Sequence, residues 1–334
     1  MSFLAAPRFV TRRAPEATAQ RALEWRGALL DNDPVPLPAY RGGRGANEAQ
    51  QDQKRREAPK GRDIMIGQEW RPAMIGNPDK RADARLQLHS ALQWLARLAN
   101  SYGEAVSSEH FDLTWDPARR AFITPELVGG LAVELRLPRL EMQFIERGVP
   151  SPHVLDVEGR SPAEIEAWIL VELLHRGIDR SRFSKRLPYE APTLMHGDAN
   201  QFSPEGLEAE LEELAVWLDN ATMVLQRITD DLRAHGAQEP SAVRCWPDPF
   251  HLAVTLPLET GSASQALRVG LSVGDERHGE PHFFVIAERS RGASTMLPNA
   301  ALTLGKIASG GMALGDVVQA LEAQIESSRK KLSH

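Results

Sequence analysis

Apolar residues recur along this chain with two periods, and the switches between them outline its elements. Leu88, Leu92, Leu95 and Ala99 repeat at spacings of four and three, which predicts an amphipathic helix over about 83–103. The period then falls to two. Residues 110–115, 121–124 and 131–137 read as strands with one wet face. In the last of these Leu131, Val133, Leu135 and Leu137 alternate with Ala132, Glu134 and Arg136. Leu140, Met142 and Phe144 continue the alternation, and 153–157 closes a first sheet. At Ser161 the helical period returns with a start signal. The serine caps, Pro162 suits the first turn and Glu164 reaches back, so a helix runs to Arg176 and stops at Gly177, burying Ile165, Trp168, Ile169 and Leu173.

The strongest periodic signal follows Ser203: Leu207, Leu211, Leu214, Leu218, Ala221, Leu225, Ile228 and Leu232 predict a helix over 204–235, about 48 Å long. Val216, Trp217, Met223 and Val224 widen its apolar surface beyond a narrow seam, which favours packing on a sheet over self-association through 204–235. The tail returns to strands at 242–246, 250–256, 266–273 and 282–287, with a hairpin through 259–264. It ends in a helix carrying Val317, Leu321, Ile325 and Leu332. The expected fold class is therefore α+β: two mainly antiparallel sheets packed against a long central helix, with flanking helices. Its parts are a first sheet and helix over 83–177, the long helix over 204–235, and a C-terminal sheet and helix over 242–332, one globular domain over 81–334.

Composition changes this picture at the N-terminus. Residues 41–63 hold almost no large apolar side chain, so 1–80 reads as a largely disordered arm and linker. Its net charge of +4 stands against −10 for the remainder, and the whole chain carries −6. A negative balance argues against a dedicated nucleic-acid binder. Charges interrupt every apolar run, which argues against a membrane span, and no signal-peptide core appears. A single cysteine, Cys245, gives no disulfide framework, and the expected location is the cytoplasm.

The densest run of chemistry is 274–282, GDERHGEPH, with Asp275, His278, Glu280 and His282 between two strands. With Asp248 and His251 on a neighbouring strand end, these residues supply nitrogen and oxygen ligands for a divalent metal, zinc or non-haem iron. They equally supply a histidine–carboxylate pair for proton transfer. The metal candidates are His251, Asp275, His278 and His282; a polar hairpin loop is the plainer reading. Arg244 beside Trp246 suggests a stacked guanidinium that holds an anion. Cys245 between them reads as a small buried hydrophobe. His196, Gly197, Asp198 and Asn200 lack the phosphate-cradling context of a kinase loop and read as a turn.

The segments VRCWPDPFHLAV, VGLSVGD and GEPHFFV resemble a family of uncharacterised bacterial proteins, in which the first tends to read R-x-W-P-H-H-F-D and the second G-x-S-P-G-D. Arg244, Trp246, Pro247, Phe250, Ala253, Gly270, Ser272, Gly274, Asp275, Glu280 and Pro281 carry the resemblance. This chain departs from it at Asp248, Pro249, His251, Val273 and His282. The resemblance implies a fold and no reaction. Two functions stay open on sequence: an enzyme or small-ligand protein with a pocket at the C-terminal strands, and a non-catalytic interaction or scaffold protein using the long helix and the basic arm.

Overall fold

The computed structural model describes residues 69–71, 76–103, 113–187, 189–190, 194–195, 199–258, 266–275, 277–288, 294–296 and 301–332. The chain divides into two units, Met1–Ile66 and Gly67–His334, and every described residue belongs to the second. Most of the arm read over 1–80 (residues 1–68 and 72–75), the strand start at 110–112, the turn at 196–198, the loop at 259–264 and Glu276 lie outside the described residues.

The described part is α+β. Strands β1 (Thr114–Asp116), β2 (Ala121–Ile123), β3 (Leu131–Arg136), β4 (Glu141–Glu146) and β5 (Val149–Asp156) form an antiparallel meander. The second antiparallel sheet runs β10 (Ser294–Met296), β9 (His282–Glu288), β8 (Ala266–Ser272), β7 (His251–Pro257), β6 (Arg244–Trp246). The short β11 (Leu302–Thr303) also pairs with β9. A backbone bridge between Leu113 and Cys245 joins the sheets at β1 and β6. The Cys245 side chain is buried in the core.

Five α-helices lie among the described residues: α1 (Pro78–Tyr102), α2 (Pro162–His175), α3 (Glu208–Ala234), α4 (Leu304–Ser309) and α5 (Leu314–Leu332). The long helix α3 packs on β7 and β8, α1 packs between α3 and β3, and α5 covers β9. Leu211, Leu214, Leu218, Ala221, Leu225 and Ile228 all enter one continuous core, so the long stripe faces inward. At α2 the foreseen capping box is present, with Ser161 and Glu164 each bonded to the other's amide.

Three expectations need correction. The first helix begins at Pro78, because Asn77 Oδ1 accepts from the amides of Asp79 and Lys80 and caps it. The long helix begins at Glu208 instead of 204, because Gly206 adopts φ 82° and interrupts the helical path. Glu134, placed on a wet face by alternation, is only 2% exposed; Arg119 and Arg136 roof its carboxylate at 2.6 and 3.1 Å. Order also starts before residue 81. Arg71 bonds Asp219 at 2.7 Å and exchanges backbone bonds with the Asn220 amide, while Trp70 packs against the core.

Candidate metal centre

Cross-strand register brings the C-terminal histidines together. His251 on β7 stands opposite Ser272 on β8, and Ser272 opposite His282 on β9. Their neighbours Leu252, Leu271 and Phe283 face the core, so alternation sends His251, Ser272 and His282 to the other face of the sheet. Beyond Ser272 the chain must turn tightly to return as β9. Gly274 takes φ 120°, and the Asp275 carboxylate closes the turn, its Oδ1 accepting from the amides of Arg277 and His278 at 2.8 and 2.7 Å.

That turn leaves Asp275 Oδ2 directed inward, 3.6 Å from His282 Nε2, while His278 Nδ1 lies 3.7 Å from Oδ1. The two imidazole centroids are 4.7 Å apart. One ligand atom from each of Asp275, His278 and His282 lies within 4.8 Å of the others. His282 is 1% exposed, and its Nδ1 donates to the Glu280 carbonyl at 3.0 Å. This bond fixes the tautomer and leaves Nε2 with its lone pair toward Asp275, the arrangement that second-sphere carbonyls impose on metal-bound histidines.

Charges around the group are consistent with a ligating state. Burial opposes ionisation of Asp275, but the amides of His278 and Arg277 and the two imidazoles outweigh it and hold the pKa below the ordinary carboxylate value. Burial lowers the His282 pKa against the pull of the Glu280 carbonyl and Asp275. His251, partly buried and tilted 4.4 Å from Phe284, is pushed down to about 3 by burial, Arg268 and His282. Its Nδ1 has no hydrogen-bond partner among the described residues.

Two contributors come from α1 and were not foreseen. Arg85 and His89 are four apart, so they share a helix face. The Arg85 guanidinium packs over Gly274 within the field of Asp275, and burial lowers its pKa against that carboxylate. Its Nη1 is buried with no hydrogen-bond partner among the described residues. His89 donates from Nε2 to the Pro247 carbonyl at 2.7 Å and stacks on Phe250 at 5.1 Å; burial holds it at about 4.

The remaining sequence candidates do other work. Asp248 is exposed on the β6–β7 turn, within the field of Tyr189, and is not in the metal-competent group. The Glu280 carboxylate accepts from the Gly305 amide at 3.0 Å in the first turn of α4, whose N-cap is Thr303, so its backbone and not its side chain serves the centre. Trp246 is stacked by an arginine, but that arginine is Arg268, 4.4 Å above the ring, and not Arg244. A Cβ at Gly270 would overlap Ala253, so β7 and β8 approach closely only because position 270 is glycine. The sequence signal that could have revealed the contribution of α1 to the site is the polar pair Arg85 and His89 beside the Leu88–Leu92 stripe. Comparison with family models, with curated proteins and with solved structures finds no match to this chain.

Proposed function

We propose that this chain is a small-ligand protein built on a divalent transition-metal centre, with Asp275, His278 and His282 as ligands. The observation that carries the reading is the His282 imidazole, whose Nδ1 is committed to the Glu280 carbonyl while Nε2 faces Asp275 Oδ2 at 3.6 Å. Two histidines and one carboxylate suit zinc or iron(II) and leave coordination positions for water or a ligand. The buried, unpartnered Nη1 of Arg85 favours a ligand bearing an anionic oxygen, a carboxylate or phosphate that meets metal and guanidinium together. When bound, the metal would polarise that ligand or a water. His251 and His89, with pKa values of about 3 and 4, take up no proton at neutral pH and act as neutral hydrogen-bonding groups there.

The test is calorimetric titration of the chelator-stripped full chain with zinc and with iron(II). Asp275→Asn should weaken binding at one equivalent by roughly ten- to a hundredfold, the loss of one charge-assisted contact. Titrations identical in wild type, Asp275→Asn and His282→Gln would remove the centre. An interaction protein using the long helix is the second reading. The leucines of α3 between 211 and 228 are buried, so such a surface would have to use other residues.

A further inference from the structure

The first sheet carries a separate group with ligand chemistry. We propose that His153, Glu172 and His175 form a second divalent-cation site, of the kind zinc occupies, where the edge strand β5 meets the end of α2. The inference does not depend on the C-terminal centre.

Glu172 and His175 are three apart on α2, so the helix presents both on one face, the spacing used by carboxylate–histidine metal motifs in helical bundles. His153 comes from β5, the edge of its sheet. Glu172 Oε1 lies 3.0 Å from His153 Nδ1 and 3.9 Å from His175 Nδ1. Donors around a tetrahedral zinc with bonds near 2.1 Å stand about 3.4 Å apart, so the observed separations bracket the requirement. One donor atom from each residue falls within 4.8 Å of the other two.

The carboxylate is held for this role. Glu172 is 3% exposed, and its other oxygen, Oε2, accepts from Arg176 Nη1 at 2.7 Å. Arg176 is fixed in turn by Glu146 at 2.7 Å and by the Phe144 ring, 4.6 Å beneath its guanidinium. Oε1 is thereby left directed at the two imidazoles, in the manner of an outer-sphere partner orienting a ligand. Glu146 and Glu172 against Arg176 leave one net negative charge, and the C-terminal end of α2 adds a partial negative charge. Both favour a cation.

The imidazoles are accessible: His153 is 55% and His175 48% exposed. They open on a cleft of about 340 Å³ lined also by Gly129, Leu131, Glu146 and Ser151, which leaves room for water at the remaining positions. A buried anchoring carboxylate with two exposed histidines is what an exchangeable cation needs.

The experiment uses the full chain carrying Asp275→Asn together with His278→Gln and His282→Gln, which removes all three C-terminal ligands and so separates this site from that one. Zinc binding is followed by calorimetry, and the reactivity of each histidine toward diethyl pyrocarbonate is mapped by peptide mass. Zinc should still bind this background and protect His153 and His175 from modification. Adding Glu172→Gln should weaken that binding about a hundredfold and abolish the protection. Glu172 also anchors Arg176, so His153→Asn provides the second variant: the asparagine amide can replace Nδ1 as donor to Glu172 Oε1, so zinc binding should weaken with little change in the metal-free melting temperature. Unchanged reactivity of His153 and His175 with zinc in modest excess, or zinc affinity unaffected by His153→Asn, would overturn the site. Loss of the C-terminal equivalent alone would leave this one standing, and the reverse holds equally.

Discussion

The guanidinium of Arg85 occupies the space that a side chain at position 274 would need, since a Cβ on Gly274 would overlap Arg85 Nη1 and approach the Gly279 carbonyl at 3.2 Å. The same glycine holds φ 120°, a conformation that a side chain strains. Gly274→Ala is therefore expected to cost about 1–3 kcal/mol through the backbone and to push Arg85 off the turn. Urea unfolding reads the first effect. The second appears as weakened binding of inorganic phosphate to the zinc-loaded protein, which Arg85→Met should reproduce without the loss of stability.

Asp275 has two separable duties, and two substitutions divide them. Its Oδ1 closes the turn through the amides of Arg277 and His278, which an asparagine oxygen can still do. Asp275→Asn should keep the melting temperature and lose metal affinity, whereas Asp275→Ala should lose both, with about 1 kcal/mol of stability gone with the turn bonds. Equal melting temperatures for the two variants would mean that the turn does not depend on the carboxylate.

Acid should destabilise the metal-free protein over a defined window. The His89 pKa falls from 6.5 unfolded to about 4 folded, chiefly through burial, so below pH 6.5 the unfolded chain takes up a proton that the folded one refuses. The stabilisation is complete above pH 6.5 and is lost as the pH falls toward 4, a change of about 3 kcal/mol. His251 acts in the same direction, with a folded value of about 3. His89→Phe keeps the stack on Phe250, and Pro247 retains the Gln93 amide as donor at 3.1 Å, so this variant should unfold with a shallower pH dependence. Denaturant titrations between pH 7 and 4 in the presence of a chelator make the comparison; identical slopes would exclude His89 as a titrating group.

The sequence revealed what is periodic and local. The alternation through Val133 and Leu135, the stripe of α3 and the box at Ser161 are each set by neighbours a few positions away. Elements too short to show a period were not foreseen: β10, β11 and the six-residue α4, whose first turn is held by Thr303 as N-cap and by Glu280, 25 positions from the Gly305 amide that it bonds. Of the C-terminal centre, Asp275, His278 and His282 were visible because they are close in sequence. Arg85 and His89 were not, since only the packing of α1 on the sheet brings them there. The His153 group was half visible: Glu172 and His175 share a helix face by spacing, but the hairpin of β4 and β5 supplies the third member.

The box at Ser161 gives a measurement of local coupling. Ser161 Oγ accepts from the Glu164 amide at 3.3 Å, and the Glu164 carboxylate accepts from the Ser161 amide at 2.8 Å. Ser161→Ala and Glu164→Ala should each cost about 1 kcal/mol in thermal or urea unfolding. Because each bond orients the residue that makes the other, the double variant should cost less than the sum. Strict additivity would show two independent bonds.

The contact between Arg71 and α3 ties the segment ahead of α1 to the core. Asp219 is a buried carboxylate whose partners are Trp115 Nε1 at 2.9 Å and Arg71 Nη2 at 2.7 Å, and burial already raises its pKa against both. The neighbouring Asn220 side chain, wholly buried, gives and receives its bonds with the Arg71 backbone alone among the described residues. A chain that starts at Gly76 would leave Asn220 with a buried donor and acceptor unmet and Asp219 with the indole as its remaining close donor. Each unmet polar group costs about 1–3 kcal/mol. The chain starting at Gly76 is therefore expected to be several kcal/mol less stable than one starting at Gly67, and Asp219→Asn should recover part of the difference by removing the buried charge. Urea unfolding of the three proteins decides the matter: equal midpoints for the Gly67 and Gly76 chains would show that residues 69–71 contribute nothing to holding α3.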